Sequence, residues 1–207
     1  FKCDWSSDVC SSDLGINCYG LRLGARVQNL FTITKTGAMV VLILLGFFVG
    51  SNATALHANY ASGNFWAGAD WSMNTMTLVA VAIVGPVFAA DAWYYLTFTG
   101  EEVENPRRNL PLALMLGVAI VCAIYILINF AYLQVLPLQG SAEGASVLER
   151  GIQHAAEDRV GAAAAQVIFG SAGLYLMAAA IMISTFGCNN GLILAGARVF
   201  YAMGLDG

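Results

Sequence analysis

The sequence predicts an all-α protein, a polytopic bundle of transmembrane helices, and three observations predict it. Of 207 residues, 58% are apolar and 11% charged, against about 45–50% and about 25% in an ordinary soluble domain. The charges leave four gaps, at 36–69, 71–90, 109–142 and 160–197, and about 20 helical residues suffice to cross a bilayer core. The apolar runs are also solid. Val40 to Phe48 reads VVLILLGFF, without the polar–apolar alternation of a transmembrane strand. A single uncharged segment can satisfy its own backbone inside lipid only as a helix.

The same composition excludes several classes of function. Nine Lys/Arg against thirteen Asp/Glu give a net charge of −4, and the cations never form a run longer than Arg107-Arg108, so there is no footprint for nucleic acid. Five cysteines make an odd count with no C-x-x-C spacing, and His57 and His154 are too far apart in sequence for a metal motif, so no disulfide framework, zinc site or other cofactor is indicated. Neither H-E-x-x-H nor G-x-S-x-G occurs, and a membrane-embedded enzyme is not expected.

Taken in order, residues 1–14 come first. Ser6-Ser7-Asp8-Val9 is echoed by Ser11-Ser12-Asp13-Leu14, with no hydrophobic period. Asp8 to Leu14 back-translates into codons matching a common sequencing-library adapter. This stretch is expected to be non-native and adapter-derived, which leaves 15–207 as the folded part. The chain starts without Met and stops just past a helix end at Leu205-Asp206-Gly207, so a fragment is expected.

Four spans follow, at about 29–50, 76–99, 111–136 and 165–203. Arg22, Arg26 and Lys35 stand at the start of the first, Arg107 and Arg108 between the second and third, and Arg198 near the end of the fourth. Loop 51–75 has no Lys or Arg and loop 137–160 has Arg150 and Arg159. The cation-rich side is therefore expected to be cytoplasmic, with Trp66 and Trp71 in an external interfacial belt or cap.

The second span carries Gly85-Pro86-Val87-Phe88-Ala89-Ala90-Asp91-Ala92-Trp93. Proline removes a donor and clashes with the preceding turn, which predicts a kink or local unwinding at membrane depth. An acid there costs about 2.5–3.5 kcal/mol on insertion scales, so Asp91 is expected to face protein or a water-filled cavity. Discontinuous helices in transporters use such breaks to present backbone groups to substrate or ions; a plain packing kink is the alternative reading of the same residues. The loop Gly100-Glu101-Glu102-Val103-Glu104-Asn105-Pro106-Arg107-Arg108-Asn109-Leu110-Pro111 reads as a solvated hairpin. Pro106 ends one helix there and Pro111 sits in the first turn of the next.

Those two segments, followed by Tyr125-Ile-Leu-Ile-Asn-Phe-Ala-Tyr132, resemble the amino acid/polyamine/organocation permease superfamily, especially its L-type amino acid transporter branch and bacterial relatives. The resemblance extends upstream to Gly24-Ala-Arg-Val-Gln-Asn-Leu-Phe-Thr-Ile-Thr-Lys35. Downstream it continues in Ser184-Thr-Phe-Gly-Cys-Asn-Asn-Gly191 and Arg198-Val-Phe-Tyr-Ala-Met203. It covers residues 15–207 as a partial amino acid permease domain. It implies a twelve-helix, leucine-transporter-like fold of two inverted five-helix repeats, of which this chain is expected to hold the fifth to eighth helices. The family's first helix, with its glycine-rich break, is not in this sequence, so the fragment alone is not expected to transport.

The resemblance also implies roles for individual residues. The unwound part of the sixth helix contacts the substrate's amino group, which assigns Phe88, Ala89, Ala90 and Asp91 to the substrate site, with Phe88 as an aromatic gate. Relatives commonly have an aromatic at the Ala90 position and glycine at the Ala92 position, so pocket size and backbone freedom differ here. Asp91 could bind substrate, carry a proton or stabilise the broken helix. Lys35 matches a lysine near the sodium position of sodium-coupled relatives, where its ammonium could replace the ion or exchange a proton. Snorkelling competes with that role. Lys35 would be only about 6 Å deep if the helix begins near Phe31, and about 12 Å if it begins near Val27. Ser184 and Cys188 match positions by the ion-like site and the substrate pocket respectively, although small residues at i and i+4 also serve close packing.

The function implied is a secondary active transporter of amino acids or related amines, multi-pass in the plasma (inner) membrane and working by alternating access. Protons are the candidate coupled ion, the lipid bilayer is the surrounding solvent, and any partner subunit is unknown. The alternative is a structural or channel-type membrane subunit.

Overall fold

A computed structural model describes residues 15, 21–61, 72–89, 97–98 and 103–206. Every regular element among them is helical. Residues 1–14, Trp66, Trp71, Ala90 and Asp91 lie outside the described residues.

Helix α1 (Leu21–Phe48) starts well before the expected 29, because nothing between Leu21 and Val27 breaks a helix and Arg22 and Arg26 are good helix formers. It closes where the amides of Val49 and Gly50 both donate to Leu45 O. Asn52 then caps the short α2 (Ala53–Leu56), accepting from the Thr54 amide at 2.9 Å. A π-helical turn, His57–Ala61, follows it.

Helix α3 (Met73–Ala89) carries Pro86 inside it, where the sequence predicts a kink or local unwinding. The ring removes the bond to the Ala82 carbonyl, and the helix continues to Ala89.

Helix α4 (Pro106–Val135) opens at Pro106, with Pro111 inside it, and not at Pro111 as expected. Asn105 adopts the left-handed conformation (φ 52°, ψ 59°), and its carbonyl accepts from the amides of Arg108 and Asn109, both at 3.0 Å. Pro106 fills the first helical position, where no amide is needed.

The connection to the last helices is a folded cap. Helix α5 (Val147–Arg150) has a complete capping box between Ser146 and Glu149. The amides of Ile152 and Gln153 return to the carbonyls of Pro137 and Leu138, and Gly151, at φ +63°, makes the turn between them. The expected fourth span of 165–203 is instead two helices, α6 (Val160–Phe169) and α7 (Ala172–Asp206). They are divided at Gly170, whose φ +64° and ψ −145° only glycine adopts readily. Hydropathy could not show this division, since the division lies within one uncharged gap.

Packing follows from small residues. A Cβ on Gly46 would lie 3.0 Å from Ala131 Cβ, and one on Gly50 would lie 3.0 Å from Val135 Cγ2 and 2.8 Å from Ile168 Cγ1. These pairs, 46 with 131 and 50 with 135, run α1 and α4 parallel. A Cβ on Gly187 would lie 2.7 Å from Phe31 Cβ, and one on Gly191 would lie 3.0 Å from Gln28 Nε2, so α7 runs antiparallel to α1. The helix ends carrying Arg22, Arg107, Arg108 and Arg198 thus gather at one end of the bundle.

At the other end the cap rests on a buried cluster of Val135, Leu136, Ala155, Ala163 and Ala164. Buried Asn59 locks that end. Its amide donates to the carbonyls of Leu133 (2.8 Å) and Leu136 (2.9 Å), and its oxygen accepts from the Leu138 amide (2.7 Å).

Among the described residues, three helices are long and apolar enough to cross a membrane, over Gly24–Phe48, Pro106–Val135 and Ala172–Gly204. Their outer faces expose large side chains such as Met115, Ile120, Ile126 and Phe130, which lipid or further helices must cover.

Candidate functional site

The site lies along the seam between α1 and α7. Gln28, Phe31 and Lys35 recur at i, i+3 and i+7 and so share one face of α1. Facing them, Gly187, Gly191 and Ala195 form a small-residue stripe at spacing four on α7, and Gly187 and Ala195 are buried, which lets the two backbones approach closely. Rungs cross the seam. Asn190 Nδ2 donates to Gln28 Oε1 at 3.1 Å. The rings of Phe31 and Phe186 meet at 4.9 Å and an interplanar angle of 48°. Lys35 Nζ reaches Cys188 Sγ at 3.8 Å.

Lys35 sits near the middle of the apolar stretch Gly24–Phe48, about 16 Å along the axis from one end and about 20 Å from the other. Its side chain is half-buried, and its ammonium meets Cys188 Sγ among protein surroundings.

One of those surroundings is a cavity of about 570 Å³ between α1, α4, α6 and α7. Lys35 and Met39 line it from α1, Tyr132 from α4, Phe169 from α6, and Met177, Ile181 and Ser184 from α7. The walls are mainly apolar, and the ammonium, the Ser184 hydroxyl and the Tyr132 phenol provide polar side-chain groups. Such a chamber favours small ligands with an apolar body and few polar anchors. Among the described residues no three His, Cys, Asp or Glu side chains gather to hold a metal.

The structure therefore brings together Lys35, Ser184 and Cys188. Phe88 and Ala89 occupy the last described turn of α3, and Ala90 and Asp91 fall outside the described residues. Sequence reasoning missed Gln28, Asn190 and Tyr132 as members of the site. Gln28 and Asn190 left a signal: uncharged polar side chains in apolar segments, one on the stripe of Lys35 and the other beside a small-residue repeat.

The chain is 34% identical over 190 residues to the serine/threonine exchanger SteT of Bacillus subtilis (strain 168), covering 91% of this chain. It is 29% identical over 196 residues to the b(0,+)-type amino acid transporter 1 of Homo sapiens, and 27% identical over 199 residues to the large neutral amino acids transporter small subunit 2 of Mus musculus; each alignment covers 93% of the chain. The chain spans 37%, 35% and 33% of the lengths of these relatives, respectively. No solved structure matches it. The amino acid permease family profile matches residues 14–207, taking in all four long helices and every residue of the Lys35 seam, and the chain belongs to that family.

Proposed function

We propose that the protein to which this chain belongs is a secondary active transporter of amino acids or related amines, working by alternating access in the plasma (inner) membrane. The observation that carries the reading is Lys35. A formal charge held in mid-span, touching Cys188 and sharing a cavity with Ser184, is costly to keep in a membrane and marks a transport or ion pathway. Its ammonium stands where a coupling ion would bind and can exchange a proton as the transporter changes state, with Ser184 beside it.

Phe88, Ala89, Ala90 and Asp91 supply the substrate end of the same machinery. Pro86 weakens α3 just ahead of them, and backbone freed beyond Ala89 can meet an amino group. Phe88 covers the bound substrate, and Cys188 borders the pocket. Relatives named as a serine/threonine exchanger and as neutral amino acid transporters favour exchange of small or neutral amino acids, and the name "small subunit" of one of them favours assembly with a second subunit. Loops 51–75 and 137–160 face outside.

The test uses the complete protein in proteoliposomes. Uptake of labelled serine, threonine and larger neutral amino acids is measured with empty and with amino-acid-loaded vesicles, with and without a pH gradient. Saturable uptake stimulated by internal substrate is expected. Flux that neither saturates nor responds to internal substrate would identify a channel and overturn the reading.

A further inference from the structure

The small-residue stripe on α7 brings α1 close but cannot decide where along α7 it stops. Gly187, Gly191 and Ala195 let the backbones come close, and Phe31 packs against Gly187 and Phe186. A directional contact adds a sharper constraint on the register. Asn190 is fully buried (0% exposed) in the seam, and its amide donates to Gln28. A buried polar contact of this type is the best-attested means by which packed helices fix their register.

The geometry links this contact to the site. Gln28 and Lys35 are seven residues apart, so they lie within about 20° of the same line down α1 and about 10.5 Å apart along it. Rolling α1 by one residue turns its side chains by about 100°, which would carry Lys35 away from Cys188 and out of the cavity it shares with Ser184. Phe31 lies between the two rungs, its Cβ against Gly187 and its ring against Phe186, and transmits the setting from one to the other.

We infer that Gln28 and Asn190 are positioning residues for the Lys35 site: their hydrogen bond sets the register of α1 on α7 and so holds the Lys35 ammonium against Cys188 and Ser184. The inference rests on the reading of Lys35 as the coupling group. Among the described residues, the titratable groups facing Lys35 are Cys188 on α7 and, across the cavity, Tyr132 on α4.

The experiment uses the complete transporter and two readouts. The first needs no transport: the rate of Cys188 alkylation by iodoacetamide at fixed pH, followed on the peptide that contains it. Lys35 Nζ stands 3.8 Å from the thiol, so Lys35→Met should change the rate at which the reagent reaches it. Gln28→Met and Asn190→Leu should produce the same change with Lys35 still in place. The second readout is amino acid uptake, corrected for the amount at the membrane, which the two variants should lower by about tenfold to a hundredfold, the scale of a 1 Å misplacement. The exchanged pair Gln28→Asn with Asn190→Gln keeps a donor, an acceptor and the summed length, and should restore both.

If Lys35→Met moves the alkylation rate and uptake while Gln28→Met and Asn190→Leu move neither, the positioning role is wrong and the coupling role stands. If Lys35→Met itself moves neither, the coupling role falls and the inference falls with it. A loss common to the single variants that the exchanged pair does not relieve, at normal membrane levels, also overturns the inference.

Discussion

Two residues show how differently a polar group can be treated. Lys35 stands half-buried in the apolar stretch Gly24–Phe48, with Cys188 beside its ammonium. Asn59 is instead buried and held by three hydrogen bonds to the end of α4. Different outcomes follow from removing them. Lys35→Met in the complete transporter is expected to lower uptake with little change in melting temperature; melting and uptake measured on one preparation check this. Asn59→Leu leaves the Leu133 and Leu136 carbonyls and the Leu138 amide without that partner, and each buried group left unmet costs about 1–3 kcal/mol. Its melting temperature should fall, and a protease should cut sooner within the 51–61 connection.

At the scale of elements, the α6–α7 turn is a tight joint. A Cβ on Gly173 would stand 2.2 Å from the Ala165 carbonyl oxygen, and since the obstacle is backbone, no rotamer change relieves it. Gly173→Ala is expected to destabilise the complete protein by about 1–3 kcal/mol, read as a lower melting temperature, whereas Gly196→Ala, with open space around it, should not. This joint also shows what the sequence could tell. The long apolar segments were legible because charge is so expensive in lipid that its absence marks them. The division of 160–197 was not, because a glycine turn between two apolar helices leaves hydropathy unchanged. The early start of α1 was hidden for the opposite reason: Arg22 and Arg26 read as a flank, though both suit a helix. Within the site, Lys35, Ser184 and Cys188 could be named from motifs. That Gln28 and Tyr132 join them depends on which faces meet, which only the packing of α1 against α7 and α4 decides.

At the scale of the molecule, α1 and α4 run parallel, so the chain between Phe48 and Pro106 must recross the layer. The arrangement places Glu104 and Ala142, both exposed, at opposite ends. An impermeant thiol reagent on intact cells should label Ala142→Cys and spare Glu104→Cys in the complete protein, and the reverse pattern would invert the orientation. Resequencing the source locus should likewise fail to recover the codons of residues 1–14 in frame with the rest. The Lys35–Cys188 rung has a consequence for how the protein is made. Its partners are 153 positions apart, and ribosomes add about 5–20 residues per second, so α1 emerges on the order of 8–30 s before the helix that will receive its ammonium exists. During that interval neither Lys35 nor Gln28 has its α7 neighbour, and the insertion machinery or the lipid headgroups must hold the polar side of α1. The final depth of α1 is therefore a late event of biogenesis, fixed when α7 arrives and not when α1 first leaves the ribosome.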